Sequence, residues 1–479
     1  MPIPGQTITI LDPGLGLVEP AITTPLVLGC SELGAVNTLE SFTTKSAAIA
    51  ALGQGPLAEA VCRVLDVGGS PVLAMSLNNS VASTIGAVTP TRVGVSTGTI
   101  TTGGTALDAY EVQVLITEDS DGVVVGTGVF RYSLDDGRTF SEAINIPAGM
   151  TYTMPSTGIT LTFVPGAGPL AFETGDTHDF DCTAPYYGPA DVAAAVTALL
   201  ADSTPWAFMI LTGTPANAAD GATMFAAMAT HMASFESVFR YTRCIMDAGD
   251  DTAANVITAF GAVSDNRVSV CYGTADLASS KAFAGWGAPS RSVVDAMGAR
   301  AAEEMISTDL ARVASGPIVG CVGISHNEYL NEVLDTHRIS TTRSWLGRPG
   351  FYITNCRLKS APGSDYRYWQ HGRVMDTACA TTYQVQQLFI SLGLRTNADG
   401  TINELDAARL ETRARDALAA QLTAPSNAEG TRGHVSAFSY QIDRTNNVAT
   451  TETVQSEVAI RPLGYSKFIV TQIGYSLTV

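Results

Sequence analysis

A long run of strand-type sequence interrupts a chain whose flanking parts alternate strand and helix. From Gly86 to about Pro185, short segments of alternating apolar and polar residues, such as Ile159 to Phe163, are separated by turn signals like Asp136-Gly137. Several short strands at this spacing are typical of a small all-β sandwich or barrel. Before and after them, strand and helix patterns alternate as in α/β layers. We therefore predict an α/β (α+β) sandwich core with an inserted all-β domain.

The two ends of the chain carry strand patterns without an obvious local partner. The first twenty residues are rich in Pro and Gly around a short apolar segment that contains Ile8 and Ile10. At the other end, Ile473, Tyr475, Leu477 and Val479 alternate with small or polar residues. An apolar terminal strand needs a sheet that accepts it. We expect these residues to form extended N- and C-terminal β arms that pair with a sheet elsewhere.

The stretch from Trp345 to Leu394 is rich in aromatic residues and is predicted to contain a short strand and then a helix from about Arg373. It shows no catalytic pattern, so Trp345, Tyr352, Trp369 and Arg373 are expected to serve packing and subunit contact. The spacing of Arg373 and Asp376 predicts an ion pair on the helix surface.

A second helix is predicted over residues 403–422. Leu410, Ala414, Leu418 and Leu422 recur at every fourth position, which indicates one buried face. Six charged residues are assigned to the exposed face of this helix: Asp406, Arg409, Glu411, Arg413, Arg415 and Asp416.

Charge is distributed unevenly along the chain, which has a net charge of −18. Residues 338–479 carry 15 basic and 11 acidic side chains, whereas the first 337 residues carry 12 and 34. No run of Lys or Arg suggests binding to nucleic acid. No apolar run is long enough to cross a membrane, and we expect no secretory signal. The eight scattered Cys are expected to be reduced, buried thiols.

Motifs that carry enzyme chemistry are weak in this sequence. Asp176, His178, Asp179 and Asp181 could form an oxygen-rich metal site, but a polar strand end is the favoured interpretation. Asp247, Asp250 and Asp251 lie between a strand and a helix, where helix capping is favoured over catalysis. The sequence contains neither a GxSxG elbow nor a GxxxxGK[ST] phosphate loop. We predict no catalytic, cofactor-binding or metal-binding residues.

Taken in order, these features resemble the contractile tail sheath proteins of phages and related injection machines. The resemblance rests on the segment Gly350 to Arg357, on Tyr366 to Asp376 with its Arg373-Val374-Met375-Asp376 end, and on the helix, hairpin and final strand that follow. The segment Phe130 to Gly137 resembles the variable outer domains of phage sheaths.

The resemblance implies a structural subunit that stacks as hexameric rings around a tail tube and contracts to drive the tube through the host envelope. It also implies that the terminal arms, which contain Ile8, Ile10, Ile473, Tyr475, Leu477 and Val479, link subunits by adding strands to neighbouring copies. It implies no enzyme activity and no cofactor. Implied partners are other copies of the chain, the tail tube protein, and the baseplate and tail terminator proteins, in a virion tail assembled in the host cytoplasm. The five exposed-face residues Asp406, Arg409, Arg413, Arg415 and Asp416 would then face the tube.

The resemblance also implies a division of the chain into domains. These are an N-terminal arm at 1–20, a sheath domain at 21–86 and 187–337, an outer domain at 87–186, a C-terminal core at 338–455 with the tube-facing helix at 403–422, and a C-terminal arm at 456–479.

Two other interpretations stay open at this stage. One is a different self-assembling virion protein, such as a tail tube or capsid component, although tubes are usually smaller and mainly β. The other is an α/β hydrolase-like enzyme with a β accessory domain, because a Ser-His-Asp triad meets only in space. Helix 403–422 could also simply pack on the core with its charges in solvent.

Overall fold

The computed structural model describes residues 23–69, 71–121, 126–167, 170–277, 289–428, 430–431 and 433–471. The α-helices in these residues are α1 (Lys45–Leu52), α2 (Pro56–Asp66), α3 (Pro189–Ala201), α4 (Ala218–Ser237), α5 (Ala253–Ala259), α6 (Val293–Glu303), α7 (Trp369–Gln387), α8 (Glu404–Leu422) and α9 (Val448–Thr451).

The strands are β1 (Pro25–Gly29), β2 (Leu39–Phe42), β3 (Val72–Ser76), β4 (Thr89–Thr91), β5 (Thr99–Gly104), β6 (Tyr110–Glu118), β7 (Ser120–Asp121), β8 (Val129–Ser133), β9 (Ile144–Asn145), β10 (Thr151–Thr153), β11 (Ile159–Val164), β12 (Leu170–Phe172), β13 (Thr177–Cys182), β14 (Phe208–Leu211), β15 (Cys244–Asp247), β16 (Val268–Cys271), β17 (Thr274–Leu277), β18 (Ser290–Ser292), β19 (Cys321–Ile324), β20 (Thr342–Trp345), β21 (Arg348–Ile353), β22 (Val435–Ile442) and β23 (Ser456–Pro462).

A six-stranded sheet in the order β16-β15-β14-β1-β3-β2 organises the α/β part of the chain. Its first five strands run parallel, and β2 pairs antiparallel at one edge. All residues of β1, β3, β14, β15 and β16 are buried. Continuous apolar runs such as Phe208–Leu211 suit this position, because a parallel sheet is covered by other elements on both faces. The predicted α/β layer is confirmed.

Each face of this sheet has its own apolar cluster. Val27, Phe208 and Ile245 point into a cluster that includes residues of α1, α2 and α6. Leu26, Met209 and Met246 point into the opposite cluster, which includes residues of α3, α4 and α5. Because successive strand residues point to opposite faces, one short apolar strand can serve both clusters.

Strands β4 to β13 form a separate set of small sheets. Their larger sheet has the order β4-β13-β6-β8-β9, and β10-β11-β5 forms a second one. Alternate residues of β6 and β11 are buried in a cluster that contains Val114, Phe130 and Leu161. A buried ion pair connects this region to the α/β part: Arg291 lies 3.0 Å from Asp108, and both side chains are at most 6% exposed.

The aromatic stretch from Trp345 joins the α/β core instead of forming a separate unit. The hairpin β20–β21 comes first, and α7 begins at Trp369, four residues before the predicted start. The Trp369 side chain is fully buried, and its ring meets that of Phe208 edge-on, with 5.6 Å between centroids. The first turn of α7 is therefore fixed by packing against the parallel sheet, which a local pattern does not reveal.

The rest of α7 packs on α8 and on the antiparallel pair β22–β23. Val374, Leu410, Leu418 and Tyr440 belong to one buried cluster formed by these elements. The predicted apolar face of the second helix is confirmed, since Leu410, Ala414, Leu418 and Leu422 are all buried. Within the described residues, no helix is both long and apolar enough to cross a membrane.

Candidate assembly surfaces

The antiparallel pair β22–β23 has one edge that is closed by side chains. The backbone N–H of Asp443, just after β22, donates to the carbonyl of Gln455, just before β23, so the N–H of Ile442 points away from β23. This Ile442 N–H donates to Glu411 Oε1 at 2.8 Å. Arg415 donates to Tyr440 O through Nε at 3.0 Å and Nη2 at 2.9 Å. Two side chains of α8 thus occupy the β22 edge at the places where another strand would bond.

The other edge of this pair, along β23, faces outward. Five of the seven residues of β23 are exposed, and only Val458 and Ile460 are half-buried. Val458 stands opposite Tyr440 in the register. Since the Tyr440 carbonyl points away from β23, the backbone groups of Val458 point away from β22. In the part of the chain that the structure describes, no strand pairs with this side of β23. It is an edge at which an added strand could bond.

The segment after β23 ends in three consecutive large apolar side chains that face solvent. Phe468 is 90% exposed, Ile469 82% and Val470 92%. Isolated apolar residues are common on protein surfaces, but a contiguous group marks a contact with another molecule. Only Thr471 lies between this group and residues 472–479. The predicted arm residues Ile473, Tyr475, Leu477 and Val479 lie outside the described residues, as do Ile8 and Ile10.

The predicted exposed face of α8 needs a correction at two positions. Asp406 is 3% exposed, because Arg395 binds it through two side-chain nitrogens, at 2.8 and 3.1 Å. These bonds hold the pKa of the Asp406 carboxyl well below its usual range. Glu411 is 6% exposed, because Arg444 and the Ile442 N–H bind it. Charge alone did not distinguish a paired carboxylate from a solvated one.

The remaining charges of α8 do face outward. Arg409, Arg413 and Asp416 are exposed, and Arg415 keeps about half of its side chain exposed while it bonds to the β22 edge. With Asp406 removed from the set, this surface carries three guanidinium groups and one carboxylate. It is therefore more basic than the sequence pattern predicted.

Three of the four residues assigned to packing and subunit contact are internal. Trp369, Tyr352 and Arg373 are at most 5% exposed, whereas Trp345 is 37% exposed. Arg373 donates to Ala301 O at 2.6 Å and lies over the Phe208 ring. The predicted surface ion pair between Arg373 and Asp376 is wrong, because Asp376 is also buried and binds Arg243 and Arg267.

The acidic segments considered for metal binding or catalysis serve local structure. Asp176 accepts hydrogen bonds from Ser96 Oγ at 2.6 Å and from the N–H groups of Val93 and Glu173. Thr252 caps α5 by accepting from Asn255 N, and Asp251 accepts from Thr252 N. No group of three or more His, Cys, Asp or Glu side chains in the described residues could hold a metal ion.

Two buried carboxyl groups lie beside the carboxyl ends of the central strands. Asp247 accepts from Gly249 N at 2.7 Å and from Ser292 Oγ, and Asp295 accepts from Thr212 Oγ1 at 2.7 Å. Burial raises the pKa of Asp247 to about 7 and that of Asp295 to about 6. The sequence pattern placed Asp247 at a strand end with capping favoured, whereas it did not single out Asp295, which lies in the first turn of α6.

These raised pKa values predict a stability that falls with pH. Between about pH 4 and pH 7 the folded chain keeps protons that the unfolded chain has released, so the free energy of unfolding decreases as pH rises. Above about pH 7 this contribution is constant. We expect Asp247→Asn to flatten the dependence and to be more stable than the wild type at pH 8 by roughly 1 to 3 kcal/mol. Urea unfolding of the wild type and the variant at pH 5 and pH 8 measures the pH dependence and the stability difference. If the free energy of unfolding of the variant changes with pH as much as that of the wild type, Asp247 does not have the raised pKa.

Comparisons with known proteins give a family and a shared fold for this chain. A family model described as "DUF2586, N-terminal domain" matches residues 3–357. No curated protein sequence matches the chain. A chain in the contracted baseplate of the anti-feeding prophage is similar in structure, with a TM-score of 0.55, 11% identity and full coverage of both chains. A chain of the contracted helical sheath of the same prophage has a TM-score of 0.52 and 12% identity, covering 99% of this chain and 100% of that one. At these identities the likeness shows a shared fold.

Proposed function

This chain belongs to the DUF2586 family and has the fold found in a helical sheath, and from that premise we propose that it is the structural subunit of a contractile tail sheath. The observation that carries the proposal is the presence of an open strand edge and an exposed apolar tail on the same subunit. The β23 edge can accept a strand, and the tail from Phe468 onward can supply one. A donor and an acceptor on different surfaces link copies head to tail, which produces rings or helical polymers.

The proposed linkage uses the terminal arms. Residues Ile473, Tyr475, Leu477 and Val479 would add a strand to a sheet of a neighbouring copy, and Ile8 and Ile10 would do the same from the N-terminal arm. Main-chain hydrogen bonds supply the affinity in such strand addition, and alternate side chains supply the register. The closed β22 edge supports β23 as the accepting side, because Arg415 and Glu411 already bond to Tyr440 and Ile442.

The proposed assembly is a stack of hexameric rings around a tail tube, attached to a baseplate and closed by a terminator. The 87–186 region would be its outer domain, and its separate apolar cluster supports treating it as a unit. Contraction would move the rings from an extended to a more stable packing while the arms keep neighbours linked. The virion tail would be its location after assembly in the host cytoplasm, and no step of this role needs a catalytic group.

The exposed side of α8 is the proposed contact with the tube. Arg409, Arg413 and Arg415 would meet an acidic tube surface, through solvent-accessible charge pairs that are individually weak. We expect the double variant Arg409→Glu, Arg413→Glu to lose most co-sedimentation with the tube protein while its thermal unfolding stays as in the wild type. Arg131→Glu is the matched control, since Arg131 is exposed on β8 in the proposed outer domain. Equal loss of tube binding in both variants would argue against α8 as the contact.

Electron microscopy of the purified chain tests the structural role. Hollow cylinders are expected for a sheath. Thin tubes would favour a tail tube or capsid component instead, and discrete small particles at every concentration would favour the hydrolase-like enzyme with a β accessory domain.

A further inference from the structure

The chain stays on its own subunit for five residues after β23 and then leaves it. Leu463, Tyr465 and Lys467 are half-buried, while the two residues between them are exposed. From Phe468 to Thr471 every residue is exposed. This alternation is that of an extended segment laid on a surface, with one side inward. The inward contact ends abruptly at Lys467.

Lys467 is held by groups from separate parts of the subunit. Its Nζ donates to Asn355 Oδ1 at 2.5 Å, forms an ion pair with Asp309, and lies 4.5 Å from the ring centroid of Tyr368. The side chains of Lys467 and Asp309 are only 18% and 12% exposed. An ammonium group has three donors and no acceptor, so two oxygens and an aromatic face suit it well.

Tyr465 adds a second contact on the same side. Its hydroxyl donates to Ser307 O at 2.7 Å, and its ring lies 5.4 Å from that of His371. The groups that receive Tyr465 and Lys467 thus come from the turn after α6, from the loop after β21, and from the residues around the start of α7. An unspecific surface contact would not engage three separate parts of the subunit through directional bonds.

We propose that Tyr465 and Lys467, with Asp309, Asn355 and Tyr368, form a clasp that fixes the root of the C-terminal arm on its own subunit. The clasp sets the point at which the arm leaves its subunit and the direction in which it leaves. Phe468 and the residues after it are therefore already oriented toward a second copy before they bind it. A pre-oriented arm loses less conformational entropy when it docks. The role of the clasp in assembly rests on the proposed sheath function, whereas its existence does not.

Limited proteolysis of the dispersed full-length subunit tests the clasp directly. Chymotrypsin can cut after the exposed Phe468, but a protease needs several neighbouring residues free of their surroundings, and the clasp holds two of them, Tyr465 and Lys467. We expect Lys467→Met to speed the loss of residues 469–479, read by intact mass, by roughly tenfold or more, as for lost hydrogen bonds to a charged group. Lys467→Arg should retain most of the protection. Arg461→Met is the matched control, because Arg461 is an exposed cation of β23.

Two results would overturn the proposal. If Lys467→Met and Asn355→Ala are cut at the wild-type rate, the clasp does not hold the segment. If Lys467→Met is cut faster but assembles as completely as the wild type, the clasp does not serve the arm. A wild-type chain that never assembles contradicts the sheath function alone, and the cleavage rates still decide whether the clasp exists. Faster cleavage together with weaker assembly in Lys467→Met, with both restored in Lys467→Arg, is the expected outcome.

Discussion

Replacing Asp376 with Ala is expected to lower the free energy of unfolding by about 3 to 5 kcal/mol, the usual cost of leaving buried partners of an ion pair uncompensated. Asp376 lies on the inner side of α7, 2.6 Å from Arg243 Nε and 2.8 Å from Arg267 Nη1. The Arg243 side chain is 2% exposed, so loss of the carboxylate leaves a buried guanidinium group without its counterion. Unfolding in urea, followed by tryptophan fluorescence, measures the change.

The packing of α7 around this ion cluster leaves little room for adjustment. A Cβ added at Gly372 would lie 2.2 Å from the Arg243 guanidinium, so the helix approaches this group as closely as glycine permits. Asp416→Ala on the exposed side of α8 is the control and should stay within about 0.5 kcal/mol of the wild type. An Asp376→Ala protein as stable as that control would show that the cluster does not hold α7 on the sheet.

Removing residues 468–479 is expected to abolish assembly without unfolding the subunit. Phe468, Ile469 and Val470 are more than four-fifths exposed in the single chain, so their removal exposes no core. Burying three such side chains in a neighbour would stabilise each contact by about 5 to 8 kcal/mol. Losing this burial would lower the association constant by several orders of magnitude. Sedimentation of the purified protein measures assembly, and thermal unfolding measures the fold.

The matched variant keeps the chain length and changes only the apolar character. Phe468→Ser, Ile469→Ser and Val470→Ser together should assemble as poorly as the truncated protein. Deleting 456–479 would be less informative, because β23 and the Tyr465 and Lys467 contacts belong to the same subunit. Normal polymers from the 468–479 deletion would show that subunits are linked without this arm.

Regular patterns in the sequence predicted much of the fold. The strands of the parallel sheet are short apolar runs, and a strand buried on both faces requires such a run. The apolar face of α8 follows from four residues spaced by one helical turn, which the structure confirms. The strand-rich segment at 87–186 contains alternating apolar and polar residues and turn dipeptides, and both features determine local structure.

Features that depend on long-range pairing could not be predicted from local patterns. Asp406 and Glu411 look like solvated charges on a helix, but Arg395 and Arg444 bury them from outside that helix. Asp376 finds partners more than a hundred positions away in Arg243 and Arg267. The start of α7 at Trp369 depends on a cavity-filling contact with Phe208. The charge and hydropathy of a residue indicate whether it needs an ion-pair partner or an apolar contact. The tertiary fold determines which residue provides that partner or contact.

Local patterns indicate only part of the proposed arm and of its proposed acceptor. Alternation at the C-terminus predicts a strand in need of a sheet, but it gives neither the edge proposed to accept that strand nor the point where the proposed arm leaves its subunit. These follow from the bonds that α8 makes to β22 and from the contacts of Lys467. Lys467 is one of only four lysines in the chain, a fact that gives no hint of its partners.

Copies of this chain are proposed to build a hollow, ring-based cylinder, and the rotational symmetry of the polymers is the sharpest test of this proposal. Purified full-length protein would be concentrated, frozen in ice and imaged end-on and side-on by electron cryomicroscopy. We expect an open lumen surrounded by six subunits per ring, with density that joins neighbouring subunits at β23. Solid fibres, a closed shell, or a protein that stays monomeric at high concentration would contradict it.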